Sequence, residues 1–320
     1  MATNYTSALK LMSAMQALDA EQLGYVDTIL RGARLSQLIP IVPPSNFMQD
    51  TYYEKKQAGT STVQGRRLNQ NPDTLMTNKY DKKYESTILV GGRAEVDYKI
   101  LKKKPNELDR RVSDGLSDLG QWLDYKIING DPDGNNGTEF AGLKYRLTGN
   151  QLVNSSSLTI ATDASTMRTF MSYFRTAKRR IKVSPGMQIV AVMNETIYEN
   201  ILKGRDLLGA DFLGTPNTSL LDEQLQTLDG VPLMIVRTDD IGTDILPMTE
   251  SSSTSSIYLI GLGGSPSPDS LDIPNGVVAL SADGVQMTPE IEGNIRRVTY
   301  DYEYGLRVPS KSSCRIQLLK

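Results

Sequence analysis

Acidic side chains gather with asparagine and glycine in the stretch from Tyr125 to Leu143, which reads YKIINGDPDGNNGTEFAGL. Asp131, Asp133 and Asn135 have the one, three, five spacing of a calcium-binding loop. The rest of that pattern is missing, because glycine is absent from the sixth position and Gly142 stands where a bidentate glutamate is required. We therefore interpret the stretch as a turn that follows a helix, with a metal site as the alternative.

Neither of two glycine-containing stretches has the full pattern of a phosphate-binding loop. The stretch described above lacks the Gly-Lys-Ser/Thr ending of such a loop. The second candidate, IYLIGLGGSPSPDS, begins at Ile257 and has a strand-like run before its glycines. Pro266 and Pro268 stand where a phosphate-binding helix would start, so a turn is the better interpretation than a dinucleotide site.

Histidine is absent from all 320 residues, which removes the commonest general base and metal ligand. Cys314 is the only cysteine, so no internal disulfide or multi-cysteine metal site can form. A histidine-free enzyme that uses carboxylates is the remaining catalytic alternative, but Asp239 and Asp240 are adjacent and would point to opposite faces of a strand. We predict a protein that is not an enzyme and uses no metal or cofactor.

Charge and hydropathy narrow the class further. A formal net charge of −2 and a pI near 5.5 argue against the broad basic surface of a tight nucleic-acid binder. No apolar run approaches the roughly 18 residues of a membrane span, and the first residues lack the pattern of a signal peptide. We expect a cytosolic protein without a membrane partner, held together by packing of a core to which 39% hydrophobic residues can contribute.

The elements that would position these residues begin with an N-terminal arm. Residues 6–32 have apolar side chains at helical spacing and are predicted to be partly helical: Leu9, Met12, Met15 and Leu18. The apolar run LSQLIPIVPPSNF follows and contains three prolines, which cannot continue a helix. We predict that this run is extended and lies against an apolar surface.

A polar hairpin is predicted next, because only 11 of the 44 residues from 44 to 87 are hydrophobic. DTYYEKKQ and YDKKYEST alternate like two paired strands. Two strands alone are marginal in water, so this segment is either disordered or docked on another surface. Its tyrosines favour docking over a solvated linker: Tyr52, Tyr53, Tyr80 and Tyr84.

A half-buried strand and a long amphipathic helix follow. RAEVDYKIL alternates as a strand should, with Ala94, Val96, Tyr98 and Ile100 on one face, and the lysines at 102–104 are predicted to lie on the surface. The helix is predicted over 106–129, from an Asn106 cap to a C-terminal glycine at 130. Its apolar face is formed by Leu108, Val112, Leu116, Leu119, Trp122, Leu123 and Ile127.

The remainder alternates between helices and strands. Asp163 is predicted to cap a second amphipathic helix, whose core face is Met167, Phe170, Phe174, Ala177 and Ile181. From Gly186 onwards, the apolar runs MQIVAVM, VPLMIVR, IYLIGL and GVVAL predict strands of a covered sheet, with a helix from Glu195 to Lys203. RRVTYDYEYGLRVP and SSCRIQLLK predict two long strands that return to the first helix.

The order of these elements resembles the major capsid proteins of tailed bacteriophages, which have the Hong Kong 97 (HK97-like) fold. The resemblance is carried by LSQLIPIVPP, by NGD and EFAGL after the long helix, by VAVMNETIYENI and by YDYEYGLRV. It implies an α+β fold that covers nearly the whole chain from about residue 30. The implied parts are an N-terminal arm (1–43), an extended β-hairpin or E-loop (44–90), a peripheral domain (91–185) with a spine helix (106–129), an axial α/β domain (186–290), and C-terminal strands that return to the peripheral domain (291–320).

The resemblance also implies a function and partners. The chain would assemble as hexamers and pentamers into an icosahedral shell around double-stranded DNA, and would be a virion protein assembled in the host cytoplasm. Its partners would be other copies of itself, a portal and a possible decoration protein. A separate scaffolding protein is expected, because the segment before Leu35 has no room for an internal scaffolding domain. Covalent cross-linking is not carried over, since no partner for the hairpin lysines can be matched.

We predict that the hairpin crosses onto the next subunit. The predicted contact residues are Tyr52, Tyr53, Glu54, Lys55, Lys56, Arg66, Arg67, Lys82 and Lys83. The acidic first turn of the spine helix is a possible acceptor for its cations. Each exposed pair would contribute about 0 to 1 kcal/mol, so repetition over many interfaces makes such contacts effective.

A cellular nanocompartment shell of the same fold, like an encapsulin, is the nearest alternative. Such a shell holds enzymes in place of a genome, and a cargo-binding helix replaces its arm. The helical spacing from Leu9 to Leu18 keeps this alternative open.

Overall fold

The computed structural model describes residue 29 and residues 33–46, 48–55, 80–134, 137–160, 162–183, 186–208, 213–220, 223–236, 244–249, 253–263, 276–282 and 284–320. The predicted helix around Leu9–Leu18 and the middle of the predicted hairpin lie outside these residues. No helix in the described residues is long and apolar enough to cross a membrane.

Helices and strands alternate along the chain, with a short 3₁₀ turn at Gly149–Gln151. The helices are α1 (Arg34–Leu38), α2 (Tyr98–Lys103), α3 (Glu107–Asn129), α4 (Leu143–Arg146), α5 (Ala164–Arg180) and α6 (Glu195–Leu208). The strands are β1 (Ile41–Val42), β2 (Gln49–Lys55), β3 (Tyr80–Asp97), β4 (Leu152–Leu158), β5 (Met187–Met193), β6 (Leu213–Leu220), β7 (Glu223–Leu228), β8 (Val231–Ile235), β9 (Ser255–Gly263), β10 (Val278–Leu280), β11 (Gln286–Glu292), β12 (Ile295–Arg307) and β13 (Ser313–Leu319).

The first sheet has the strand order β1-β10-β12-β3-β2. Strand β10 pairs with the last residues of β12, and β11 pairs with the first half of β12. Its long antiparallel pair is β3 with β12, which is in register from Asp97 opposite Ile295 to Thr87 opposite Gly305. Successive side chains of a strand point to opposite faces. Tyr300, Tyr302 and Tyr304 therefore share one face of β12, and all three are buried in the core beneath α3.

Helix α3 confirms the predicted spine helix to within one residue, beginning at Glu107 and ending at Asn129. Its predicted apolar face is confirmed: Leu108 and Trp122 pack at the edge of the core, and the buried residues are Val112, Leu116, Leu119, Leu123 and Ile127. Asn106 stands at the N-cap without a side-chain cap bond. Replacing one of the buried leucines with alanine is expected to cost about 2–5 kcal/mol.

Gly130 ends α3 as predicted, but for a different reason. Its φ of −56° is an ordinary value, so this residue does not use the left-handed conformation that favours a C-terminal glycine. A Cβ at this position would lie 2.4 Å from the carbonyl oxygen of Phe140 and 2.7 Å from that of Lys126. Glycine is therefore required by the close approach of the chain that returns after the turn.

The second sheet has the order β4-β13-β9-β5-β8-β7-β6. One face packs on α5 and α6, and the other face contributes to the core that contains α3. Helix α5 begins as predicted with a capping box, in which Asp163 accepts from the Thr166 N–H and the Thr166 side chain reciprocates. Cys314 is fully buried in this layer, and burial raises the pKa of its thiol to about 11.

The strand predicted over RAEVDYKIL ends earlier in the structure than its alternating pattern suggested. Ala94 and Val96 are buried in β3 as expected, but the strand ends at Asp97. The Asp97 carboxylate accepts from the Lys99 N–H and starts α2, so Tyr98 and Ile100 are 43% and 41% exposed. The local cap has overridden the alternating pattern.

The strand β13 was predicted to return to the spine helix, and this was wrong. It pairs in parallel with β4 and antiparallel with β9 inside the second sheet. The GVVAL strand also changes place, because β10 lies in the first sheet between β1 and β12. The resemblance assigned β4 and α5 to the peripheral domain, but β4 pairs within the second sheet and α5 packs on that sheet. The domain boundaries themselves stay a prediction.

Candidate assembly surface

The two outer strands of the first sheet form the predicted hairpin. Strand β2 pairs antiparallel with the first part of β3, so that Tyr52 lies opposite Lys83 and Asp50 lies opposite Glu85. The two alternating sequence runs therefore do pair, as predicted. Residues 56–79, which would connect them, lie outside the described residues.

Two buried ion pairs hold this ribbon to the rest of the subunit. Asp50 and Glu85 are 1% and 7% exposed and directly opposite each other, an arrangement in which like charges repel. Arg307 donates to Asp50 at 3.1 Å, and Arg146 donates to both oxygens of Glu85 at 2.6 and 2.5 Å. Each carboxylate thus has its own arginine, one from β12 and one from α4. We call the set Asp50, Tyr52, Glu85, Arg146 and Arg307 the hairpin base.

Tyr52 belongs to this buried set and corrects one predicted contact residue. It is 7% exposed, its hydroxyl donates to Glu85 at 3.1 Å, and the Arg307 guanidinium lies 5.2 Å from its ring centroid. Tyr52 faces inward because it lies two residues from Asp50 along β2 and therefore on the same, covered face of the strand. It therefore stabilises the subunit and offers no surface to a neighbour.

Sequence reasoning missed the charged residues of the hairpin base. The partners of each ion pair are separated by 257 and 61 positions, so spacing along the chain carries no signal of the pairing. The one available sign is that Glu303 and Arg307 stand in YEYGLR, beside the tyrosines that were expected to be buried. Charged residues in such a strand need buried partners, and Thr87 indeed donates to Glu303.

The adjoining part of β3 exposes the side chains that remain candidates for contacts. Lys82 and Lys83 are exposed, as a contact with a neighbour would require, and Tyr84 is 56% exposed. The Lys82 ammonium lies 5.0 Å from the Tyr84 ring centroid, within cation–π range. Leu89, farther along the strand, is 60% exposed. We call Lys82, Lys83 and Tyr84 the exposed ribbon.

The other predicted contact residues cannot be placed as fully. Tyr53, Glu54 and Lys55 lie in β2, but the positions of their side chains are outside the described part of the structure. Lys56, Arg66 and Arg67 fall in the segment from 56 to 79 and lie outside it entirely. Their role as contacts stays a prediction.

The acidic first turn of α3 is already partly engaged within the helix. Glu107 accepts from Arg110 at 2.9 Å and from Arg111 at 3.4 Å. The hydrogen bond from Arg110 is the main cause that lowers the pKa of Glu107 to about 2. Asp109 is exposed on the same turn and remains the better acceptor for a neighbour's cation.

The N-terminal arm is anchored to α3 by a buried carboxylate. Asp124 accepts from the backbone N–H groups of Leu35 and Ser36 at 2.9 and 2.8 Å, and from the Ser36 hydroxyl at 2.6 Å. Ala33 stands at the N-cap of α1 and has no side chain that could cap it, so Asp124 satisfies these N–H groups from another element. Burial raises the pKa of Asp124 to about 6, against the lowering effect of these hydrogen bonds.

The acidic stretch with calcium-like spacing forms a turn held by hydrogen bonds and an ion pair, although Asn135 of that spacing lies outside the described residues. The Asp131 carboxylate accepts from the Asp133 N–H at 3.1 Å, and Glu139 accepts from the Asp131 N–H at 3.2 Å. Lys126 pairs with Glu139 at 2.5 Å, and the Tyr145 hydroxyl donates to Asp133 at 2.6 Å. These contacts confirm the turn. Across the described residues, no three acidic, cysteine or histidine side chains are grouped as they would be to hold a metal ion.

Comparison with solved structures defines the fold. The chain matches an encapsulin, the holo-SrpI complex of Synechococcus elongatus PCC 7942, with a TM-score of 0.63 and 13% identity over 89% of this chain and 87% of that one. It matches the capsid of a native GTA particle with a TM-score of 0.58 and 13% identity, over 90% and 91% of the two chains. The head of Helicobacter pylori bacteriophage KHP40 gives a TM-score of 0.58 and 9% identity, over 88% and 87%.

No family model matches the sequence, and no curated protein is significantly similar to it. The structural matches nevertheless extend over most of each chain, so the chain has the α+β, HK97-like fold found in these shell proteins. The fold expected from the order of elements is confirmed. The matched structures are shells and capsids, not enzymes.

Proposed function

We propose that this chain is the major capsid protein of a tailed bacteriophage, which assembles as hexamers and pentamers into an icosahedral shell around double-stranded DNA. The single observation that carries the proposal is the fold, which matches capsid and encapsulin shells over most of the length of each chain. Many copies of one subunit can close such a shell when the contacts between them are related by rotational symmetry. The protein would then be a virion component assembled in the host cytoplasm.

The hairpin supports this proposal through its two unlike sets of side chains. The hairpin base is satisfied within the subunit, so the ribbon starts from a fixed position. The exposed ribbon leaves two lysines and a tyrosine in contact with water. A ribbon with a fixed base and exposed polar and aromatic side chains suits a contact with the next copy. Asp109 on a neighbour's spine helix is a chemically suitable acceptor for its lysines.

An encapsulin-like nanocompartment is the second candidate, favoured by the match to the Synechococcus elongatus encapsulin. The two functions predict different contents for particles made of this chain. A phage head purified with its genome contains double-stranded DNA, whereas a nanocompartment contains protein cargo. Nuclease-treated particles with no protected DNA and an enclosed enzyme would favour the nanocompartment.

Further partners follow from the phage proposal. A portal, a separate scaffolding protein and a possible decoration protein would complete the head. Expression of this chain alone and together with a scaffolding protein tests the second of these. Closed particles of uniform size from the chain alone would remove the need for scaffolding.

The exposed ribbon gives the direct test of assembly. We expect Lys82→Glu with Lys83→Glu to leave the subunit folded and to prevent shell closure, because two cations at every copy become anions. Electron microscopy of the expressed protein measures particle yield, and circular dichroism measures folding.

The matched control is Lys102→Glu with Lys103→Glu, which reverses two exposed lysines on α2. This control should still form particles. Normal particles from the Lys82 and Lys83 variant would show that the exposed ribbon does not form the contact. The same double reversal at Arg66 and Arg67 extends the test to the segment beyond the described strands.

A further inference from the structure

Helix α5 carries charge of one sign only. Five cations and no acidic residue lie between residues 164 and 180, although the chain as a whole has a net charge of −2. Its buried face is apolar and packs on the second sheet, with Met167, Phe170 and Phe174 fully covered. The opposite face of the helix is exposed and is not part of the hairpin, the arm or the spine helix.

Three arginines form a line along this exposed face. Arg168, Arg175 and Arg179 are all exposed, and their spacing of seven and four residues returns each to nearly the same side of the helix. At 1.5 Å per residue, the line extends about 16 Å along the axis. Ser172, between them, is small and exposed and leaves the line uncovered. We call these three arginines the cationic face of α5.

Few intramolecular partners neutralise this face. The Arg175 side chain lies 3.9 Å from a carboxylate oxygen of Asp229, and the Lys178 ammonium lies 3.6 Å from the same oxygen. Arg168 and Arg179 form no ion pair with any residue in the described ranges, and both are open to water. Since one carboxylate is shared by two cations and the other arginines are unpaired within the described residues, this face of α5 keeps a local positive charge although the whole chain is slightly acidic.

The line of arginines matches the spacing of charge on duplex DNA, which presents closely spaced negative charges along its phosphate backbone. Arginine is suited to phosphate by its planar fork of donors.

We propose that the cationic face of α5 binds the phosphate backbone of double-stranded DNA without reading its sequence. This inference rests on the proposed function, since it names the surface that meets the enclosed genome. In the closed shell, the face of the second sheet covered by α5 then lines the lumen. Three arginines per copy bind DNA only weakly, and repetition over many copies in the shell makes the binding effective. Such a small local patch is compatible with the net charge of −2 of the whole chain.

The test compares DNA binding by the unassembled full chain as salt is varied. The probe is a mixed-sequence double-stranded DNA fragment, and the readout is the slope of log affinity against log salt. Replacing the cationic face with Arg168→Gln, Arg175→Gln and Arg179→Gln should reduce the slope by about 0.9 for each phosphate that is no longer neutralised, or about 2.7 in total. The corresponding Arg→Lys triple variant should retain most of the slope, because it keeps the charge.

The matched control removes the same charge elsewhere, through Lys102→Gln, Lys103→Gln and Lys104→Gln, and should leave the slope unchanged. The inference is overturned if the Arg→Gln triple variant and the Lys→Gln control reduce the slope equally, or if the wild-type chain does not bind the DNA at low salt. It is also overturned if the wild-type chain binds polyglutamate more tightly than DNA. The last result would assign the face to an acidic protein partner. Particle formation, followed separately by electron microscopy, tests the proposed function and does not enter this measurement.

Discussion

The hairpin base and the exposed ribbon lie on the same pair of strands and differ in how their charges are treated. In the hairpin base, Asp50 and Glu85 are hidden from water and each is matched by an arginine from another element. In the exposed ribbon, Lys82 and Lys83 remain in water and one of them lies over Tyr84. The same pair of strands therefore has a buried end that stabilises the subunit and an open end whose charges remain in water, where we propose that it meets a neighbouring copy.

The largest expected effect comes from breaking the buried pair. Arg307→Met should cost about 3–5 kcal/mol of unfolding free energy, because it leaves Asp50 buried without its guanidinium. Burial itself lowers the pKa of Arg307, which shows how strongly this site opposes an unpaired charge. Urea unfolding of the unassembled chain, followed by fluorescence of Trp122, measures the loss.

The control is the double variant Arg307→Met with Asp50→Leu, which removes both charges together. Most of the lost stability should return, since apolar side chains of similar size often replace a buried pair without cost. A double variant as unstable as Arg307→Met alone would mean that packing, and not charge, decides the stability of the hairpin base.

A slightly smaller effect should appear at Asp124, a buried carboxylate with neutral donors in place of an arginine. Its pKa is about 6 in the folded chain and 3.8 ordinarily, so the folded state binds the proton more strongly. The resulting stabilisation is complete below about pH 4 and is lost as the pH rises through 6, a change of about 3 kcal/mol for two units. Urea unfolding between pH 4 and pH 7 should show this change in the wild type and not in Asp124→Asn.

The reference for that measurement is Asp118→Asn, an exposed carboxylate on the same helix. Its pH profile should follow the wild type. A stability difference between wild type and Asp124→Asn that stays constant with pH would contradict the assignment of the raised pKa to this residue.

The smallest stability effect is expected in the exposed ribbon. Tyr84→Ser should change the unfolding free energy by about 0.5 kcal/mol or less, because the side chain is 56% exposed. The same change should lower particle yield if the tyrosine contacts a neighbour. Urea unfolding and electron microscopy on one preparation compare the two. A large loss of stability would mean that Tyr84, like the buried Tyr52, stabilises the folded subunit.

Local patterns predicted much of the fold. The spine helix was confirmed because its apolar face repeats over six turns, and α5 was confirmed because Asp163 and Thr166 cap it locally. The length of α6 was underestimated, since it continues past Lys203 to Leu208. Helix ends without strong caps are set by the surrounding packing.

The rest depends on contacts between distant residues. Nothing in SSCRIQLLK says that β13 will be inserted between β4 and β9, because an alternating strand can pair with any suitable edge. The candidate site shows the same limit. The sequence predicted that the hairpin strands would pair, but it placed the buried Tyr52 among the contact residues and missed Arg146 and Arg307. The contact role of Lys82 and Lys83 stays a prediction.

The burial of Cys314 has a practical consequence for labelling. A thiol with a pKa of about 11 and no exposed surface is almost entirely protonated near neutral pH and is closed to reagents. Because it is the only cysteine in the sequence, the natural chain already serves as an unreactive background. A cysteine introduced at position 84 would then carry a fluorophore or spin label alone, and the attached probe would report when adjacent copies come together.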